Sequence, residues 1–140
     1  MSSAGPQSTL EQNKRLIIRW FDEVWNQDRR ATIAELYTSE CVLHDGPNTY
    51  RGPEEFTRFH DKLREQFSQF SIKPIVALAE NDLACVHWSV DCVHTATATP
   101  VHLTGISIAR IRDGKFIEAW QNWDTAGLAA QLPATSSHNA

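Results

Sequence analysis

The residue types best suited to chemistry gather in the second half of the chain. Phe116 to Asp124 alternates as a strand, with Glu118, Trp120, Asn122 and Asp124 on one face and Ile117, Ala119, Gln121 and Trp123 on the other. A carboxylate deep in an aromatic-lined pocket has its pKa raised by desolvation, into the range useful for a general base, and Asp124 is the first candidate for that role. The same residue precedes Thr-Ala-Gly-Leu-Ala-Ala-Gln-Leu, a short helical pattern for which it would serve as N-cap. Asp91, the second candidate, stands mid-strand in Trp-Ser-Val-Asp-Cys-Val and shares a face with His87 and Ser89. A charge inside an apolar strand is costly unless paired or exposed, so Asp91 is either a surface residue or part of a site. If both aspartates point inward, they can share a proton and divide into acid and base.

Four histidines, His44, His87, His94 and His102, fall near strands. Inward imidazoles would polarise a carbonyl or stabilise an enolate, although each taken singly also suits a hydrogen-bonded structural role. His44 and His102 rank above His94; His60, on a helix, and His138, in the tail, are set aside. No pair has the helical i, i+4 spacing of a zinc site, and no Cys–His alternation supports one, so no metal is expected. Tyr50 and Asn48 follow the first strand in a loop, where a tyrosine at a pocket mouth can donate to an oxyanion. Trp20, Phe21 and Trp25 on the first helix, Phe59 on the third, and Trp88, Trp120 and Asn122 on the sheet would line a cavity. Plain core packing is the better account of most of these rings. There is no Gly-rich phosphate loop, no GxSxG and no cysteine beside a histidine, which argues against covalent catalysis and nucleotide cofactors.

The elements that must position these groups are legible from periodicity. Leu16, Ile17, Trp20, Phe21, Val24 and Trp25 form one apolar stripe on a 3.6-residue period, with Thr9 as N-cap and Asn26-Gln27-Asp28 as the break. A shorter helix carries Ile33, Ala34, Leu36 and Tyr37. Cys41 to His44 reads as a strand ended by Asp45-Gly46-Pro47. Gly52-Pro53-Glu54-Glu55 opens a third helix with the stripe Phe56, Phe59, Leu63, Phe67 and Phe70. The period then switches to two: Ile72–Leu78, Leu83–Thr97, Val101–Arg112 and Phe116–Asp124 are strands, with Asp113-Gly114 as a tight hairpin turn. Three helices and an early strand before an antiparallel meander make an α+β fold, its helices on one face of a curved sheet that encloses a pocket.

Length and composition agree with one domain. The 140 residues, 41% of them hydrophobic, suffice for a core without metal or disulfide staples. Residues 10–132 form the domain, and residues 1–9 and 133–140 are expected to be disordered polar tails. The net charge of −4, without any Lys/Arg cluster, excludes the electrostatic footprint of nucleic-acid binding. Three cysteines without CxxC spacing read as free thiols in a reducing compartment. No stretch approaches the roughly 18 apolar residues of a membrane span. With no signal peptide in Met1–Thr9, a cytoplasmic location is expected.

Gly105-Ile-Ser-Ile-Ala-Arg-Ile-Arg-Asp-Gly-Lys-Phe-Ile-Glu-Ala-Trp120, then Asp124, Gly127-Leu128 and Gln131-Leu132, resembles the signature of the SnoaL-like polyketide cyclases of the nuclear transport factor 2-like superfamily. His44 before Gly52-Pro53, and His94 near the end of the long strand, fit the same layout. The likeness spans roughly residues 10 to 132, and it implies the cone-shaped nuclear transport factor 2-like fold. It also implies a cofactor-free enzyme in which Asp124 takes a proton from carbon next to a carbonyl, so that an aldol closes a ring on a small hydrophobic molecule. Limonene-type epoxide hydrolases of the superfamily use an Asp pair bridged by an Arg two residues before the first Asp. Ser89 holds that place here, which counts against hydrolysis. The superfamily also hosts ketosteroid isomerase-like enzymes and non-catalytic binding modules. A homodimer is expected, because family members commonly pair through the outer face of the sheet.

Overall fold

The structure is a computed structural model that describes residues 6–133. The expectations for residues 1–5 and 134–140, His138 among them, lie outside the described residues. Helix α1 (Pro6–Trp20) starts upstream of Thr9, with a proline in its first turn, where the missing N–H costs nothing. Residues 6–9 therefore belong to the helix and not to a tail. The stripe does not end at Trp20. The chain widens into a π-turn, Phe21–Asn26, whose Phe21, Val24 and Trp25 are buried. Here the Gln27 amide reaches back five residues to the Asp22 carbonyl at 3.0 Å. Helix α2 (Arg30–Leu36) follows and buries Thr32, Ile33 and Leu36.

Strands β1 (Val42–Asp45) and β2 (Asn48–Arg51) form a hairpin where a strand and a loop were expected. Gly46, at φ 60, takes the first position of its two-residue turn. Helix α3 (Gly52–Gln66) has the expected start, with Glu55 accepting the Arg51 amide at 2.8 Å. It then runs without a loop into β3 (Phe67–Glu80), so Phe67 and Phe70 stand on a strand and not on the helix. Strands β4 (Leu83–His94), β5 (Thr99–Arg112) and β6 (Lys115–Trp123) complete the meander, and helix α4 (Thr125–Gln131) closes the described chain. Asp113 and Gly114 both take positive φ, 52 and 73, as the tight turn requires.

The sheet order is β2-β1-β6-β5-β4-β3, and the sheet is open at both edges. It is mixed: β1 runs parallel to β6, with Leu43 opposite Ala119 and Asp45 opposite Gln121. That pairing decides which face is covered. Leu43 is buried, so Ala119, Gln121 and Trp123 share the inner face with it; on β4 the inner set is Trp88, Val90 and Cys92. Trp20 plugs the helix side of this core, with Tyr37, Phe56 and Phe116 rings 5.1 to 5.9 Å away. Edge strand β3 is partly blunted. The Asn26 side chain donates to the Ile72 carbonyl (3.0 Å) and accepts its amide (2.7 Å), in the manner of a short extra strand.

Candidate active site

Between the inner face of the sheet and the helices lies an apolar slot of about 100 Å³, several times the roughly 10–15 Å³ that one water needs. Its walls are Phe21 and Trp25 from the π-turn, Phe59 and Leu63 from α3, Phe67 and Phe70 from β3, and Trp88, Val90, Cys92, Leu103, Gln121 and Trp123 from the sheet. A smaller chamber of about 40 Å³, lined by Trp20, Tyr37 and Phe116, shares Phe21, Trp25 and Gln121 with it. Trp88 is fixed in the wall by donating from Nε1 to Ser107 Oγ at 3.0 Å. Its ring lies over Gly105, where a Cβ would collide with it.

One carboxylate reaches this wall. Asp45 is two residues along β1 from buried Leu43, and so faces inward. Burial raises its pKa above the usual carboxylate value, and the polar groups of Gln121 and Trp123, both on the slot wall, act against that rise. Tyr50 stacks on Phe59 with ring centroids 4.4 Å apart. Its hydroxyl pKa is raised by burial and then by the Asp45 charge. Asp45, Tyr50, Gln121 and Trp123 therefore form a polar corner on an otherwise apolar slot, able to exchange a proton and to donate hydrogen bonds.

The sequence reading pointed to other acids, and the structure places them elsewhere. Asp124 is exposed: β6 ends at Trp123, and the Asp124 carboxylate caps α4 by accepting the Gly127 amide at 2.8 Å. Asp91 and His102 form a 2.9 Å pair on the outer face, each side chain 60% exposed. His44 is also outside, bonded to Glu118 (2.9 Å) and stacked on Trp120 at 5.7 Å. Trp120 and Asn122 share that outer face. The alternation along β6 was read correctly, but the face opposite to Trp120 and Asn122 is the covered one. His94 sits against Phe67 (5.5 Å) and Thr97 (2.8 Å), near the slot rim. Trp25, Phe59 and Trp88 line the slot, Trp20 lines the inner chamber, and Tyr50 stacks on Phe59 of the slot wall.

Asp45 and Gln121 were missed. Asp45 had been absorbed into the Asp-Gly-Pro turn, and its spacing of two from Leu43 was the signal available. Among the described residues no group of three or more His, Cys, Asp or Glu is placed to hold a metal ion. Nor is any helix among them long and apolar enough to cross a membrane.

Comparison with known proteins gives the family. Among curated proteins none matches the chain. Among solved structures, a candidate SnoaL-like polyketide cyclase from Jannaschia sp. CCS1 superposes with a TM-score of 0.84 at 19% identity, over 96% of this chain and 99% of that one. IdmH, a candidate polyketide cyclase from Streptomyces antibioticus, gives 0.78 at 20% identity, over 86% and 97%. An LEH-like epoxide hydrolase from M. tuberculosis gives 0.72 at 13% identity, over 88% and 93%. At these identities the likeness establishes a shared fold. Residues 17–130 match the SnoaL-like domain, and by that match the chain belongs to the SnoaL-like family.

Proposed function

We propose that this protein is a cofactor-free acid/base enzyme that forms an enolate on a hydrophobic, carbonyl-bearing small molecule and closes a ring by an aldol-type step. The observation that carries this reading is Asp45, a carboxylate whose pKa is raised by burial and which stands opposite Gln121, a residue of the apolar slot's wall. Asp45 takes the proton from carbon beside the substrate carbonyl, and the electron pair moves onto oxygen. Tyr50, and an N–H of Gln121 not used by Asp45, donate to that oxygen. The carbon then attacks a second carbonyl of the same molecule, and Asp45 returns its proton. A single inward acid beside an apolar slot suits a carbon acid better than epoxide opening, for which the Asp91–Asp124 pair faces the wrong way. We further propose that the enzyme works as a homodimer joined through the outer face of the sheet.

The test is α-proton exchange in deuterated water with aromatic β-keto esters. Asp45→Asn is expected to lower the exchange rate by about 10²–10⁴-fold, the usual contribution of a positioned general base. Asp124→Asn is expected to leave it near wild type. Loss in the second variant and not the first would overturn the assignment of the base. No exchange in the folded wild type would turn the slot into a binding site without this chemistry.

A further inference from the structure

His60 on α3 is fully buried, with 0% exposure, and the mechanism makes no use of it. Its Nε2 is 2.9 Å from the Val24 carbonyl. One turn later Arg64 donates to the Trp25 carbonyl at 2.5 Å. The spacing of four puts both groups on one face of α3. The two carbonyls close the π-turn, where a helix end leaves acceptors without partners, and α3 supplies both donors. The π-turn in turn places Phe21 and Trp25, which line both the slot and the chamber behind it. Trp25 is held from the same side: its ring lies 4.7 Å from His60 and 5.6 Å from Phe70, and the Arg64 guanidinium covers Phe70 at 4.9 Å.

A second feature separates this clamp from ordinary packing. Nδ1 of His60 is the one buried side-chain nitrogen or oxygen among the described residues without a hydrogen-bond partner. With Nε2–H donating to Val24, Nδ1 carries a bare lone pair, so a second proton must arrive there with no acceptor to receive it. Trp25 and Phe56 flank the ring, at 4.7 and 6.5 Å. Burial holds the imidazole below its ordinary pKa; Arg64 and Arg30 add to that, while the Val24 bond and Asp28 oppose it. Asp28 lies 3.8 Å from Nε2, but it is half exposed and equally near Arg64, at 3.9 Å.

We propose that His60 and Arg64 are positioning residues that set the slot wall by clamping the π-turn, and that the clamp holds only while His60 is uncharged. The regulation this describes rests on the reading of the slot as the ligand site, and not on the role of Asp45. Protonation of His60 turns the ring out of its apolar setting and frees the Val24 carbonyl. The π-turn then relaxes, and Trp25 and Phe21 lose their places in the wall.

The test follows amide hydrogen exchange over residues 21–28, corrected for intrinsic rates, together with calorimetric binding of indole, a planar probe that does not titrate in this range. Between about pH 7 and about pH 4.5 the wild type is expected to lose protection and indole affinity progressively, because the free imidazole binds a proton that the clamped one refuses. His60→Gln keeps a donor to Val24 without a titrating ring. It is expected to match the wild type at neutral pH and to show no acid loss. Arg64→Met is expected to weaken indole binding at every pH while leaving the pH dependence in place. An acid loss in His60→Gln equal to that of the wild type, or full protection of the wild-type turn at the acid end, would overturn the proposal. Neither readout depends on turnover, so failure of the enolate assay leaves this test intact.

Discussion

A carboxylate kept partly out of water costs stability whenever it is charged, and Asp45 shows where that cost is carried. Its folded pKa lies above the ordinary aspartate value, so folding favours the protonated form more than the unfolded chain does. By linkage, the cost is absent below the unfolded pKa and develops in full as pH rises through the folded value. Asp45→Asn removes the charge and keeps the shape. The variant is therefore expected to melt at a higher temperature than the wild type at neutral pH, and the gap is expected to close as pH falls toward the unfolded value. Thermal unfolding across that range measures both curves. A gap that does not depend on pH would mean that Asp45 is not desolvated. An inactive but more stable variant is the usual mark of a strained functional residue. The outer pair Asp91–His102 makes the opposite case: at 60% exposure on each side, water screens it, and it contributes little to the fold.

At the scale of elements, α4 explains Asp124 without any chemistry. Its cap is made by Asp124, the approach of Gly127 leaves no room for a Cβ, and Gln131 pairs with both backbone groups of His102 at 2.8 Å. The helix is thereby stitched onto β5 beyond the point where β6 ends. Asp124→Ala is expected to cost about 1 kcal/mol, the usual value of an N-cap, and to leave α-proton exchange intact. Urea denaturation measures the first and the exchange assay the second. Loss of exchange in a folded Asp124→Ala protein would return the base to the last strand. These elements also show what local pattern can and cannot settle. The strands and the Asp113-Gly114 turn were legible because a two-residue period and positive φ are properties of short segments. Alternation tells which residues travel together, as Glu118, Trp120 and Asn122 do, but not which set is covered. That depended on the parallel pairing of Leu43 with Ala119, a contact 76 positions apart in sequence. Phe67 and Phe70 misled for a related reason: with no loop after Gln66, a spacing of three fits the end of a helix and the start of a bulged strand alike. The π-turn was hidden because Phe21, Val24 and Trp25 stay on one buried face in either helical form.

At the scale of the molecule, the outer face of the sheet exposes large apolar side chains, which is the surface the proposed homodimer would use. Across the strands run two rows, Val76–His87–Ile106–Asn122 and Leu78–Cys85–Ile108–Trp120. Val76, Leu78 and Ile106 are 48%, 61% and 46% exposed. Charged pairs lie around the rows: Asp91–His102 toward one end, with His44–Glu118 and Arg110–Asp82 toward the other. An apolar centre with a polar rim is the anatomy of a protein interface, and a second copy presents the same pattern in reverse about a two-fold axis. A stable pairing needs about 800 Å² from each partner. Sedimentation velocity is therefore expected to show a species of twice the 15.8 kDa chain mass. Ile106→Glu places a charge in the middle of the rows and is expected to shift that species to monomer. Because Ile106 points away from the slot, the monomeric variant is expected to retain indole binding. A wild type that sediments as monomer at high concentration would remove the dimer. A variant that dimerises as well as the wild type would move the interface off this face. Loss of indole binding together with dissociation would mean instead that the partner supports the slot wall through the sheet, tying the two faces of one layer into a single working unit.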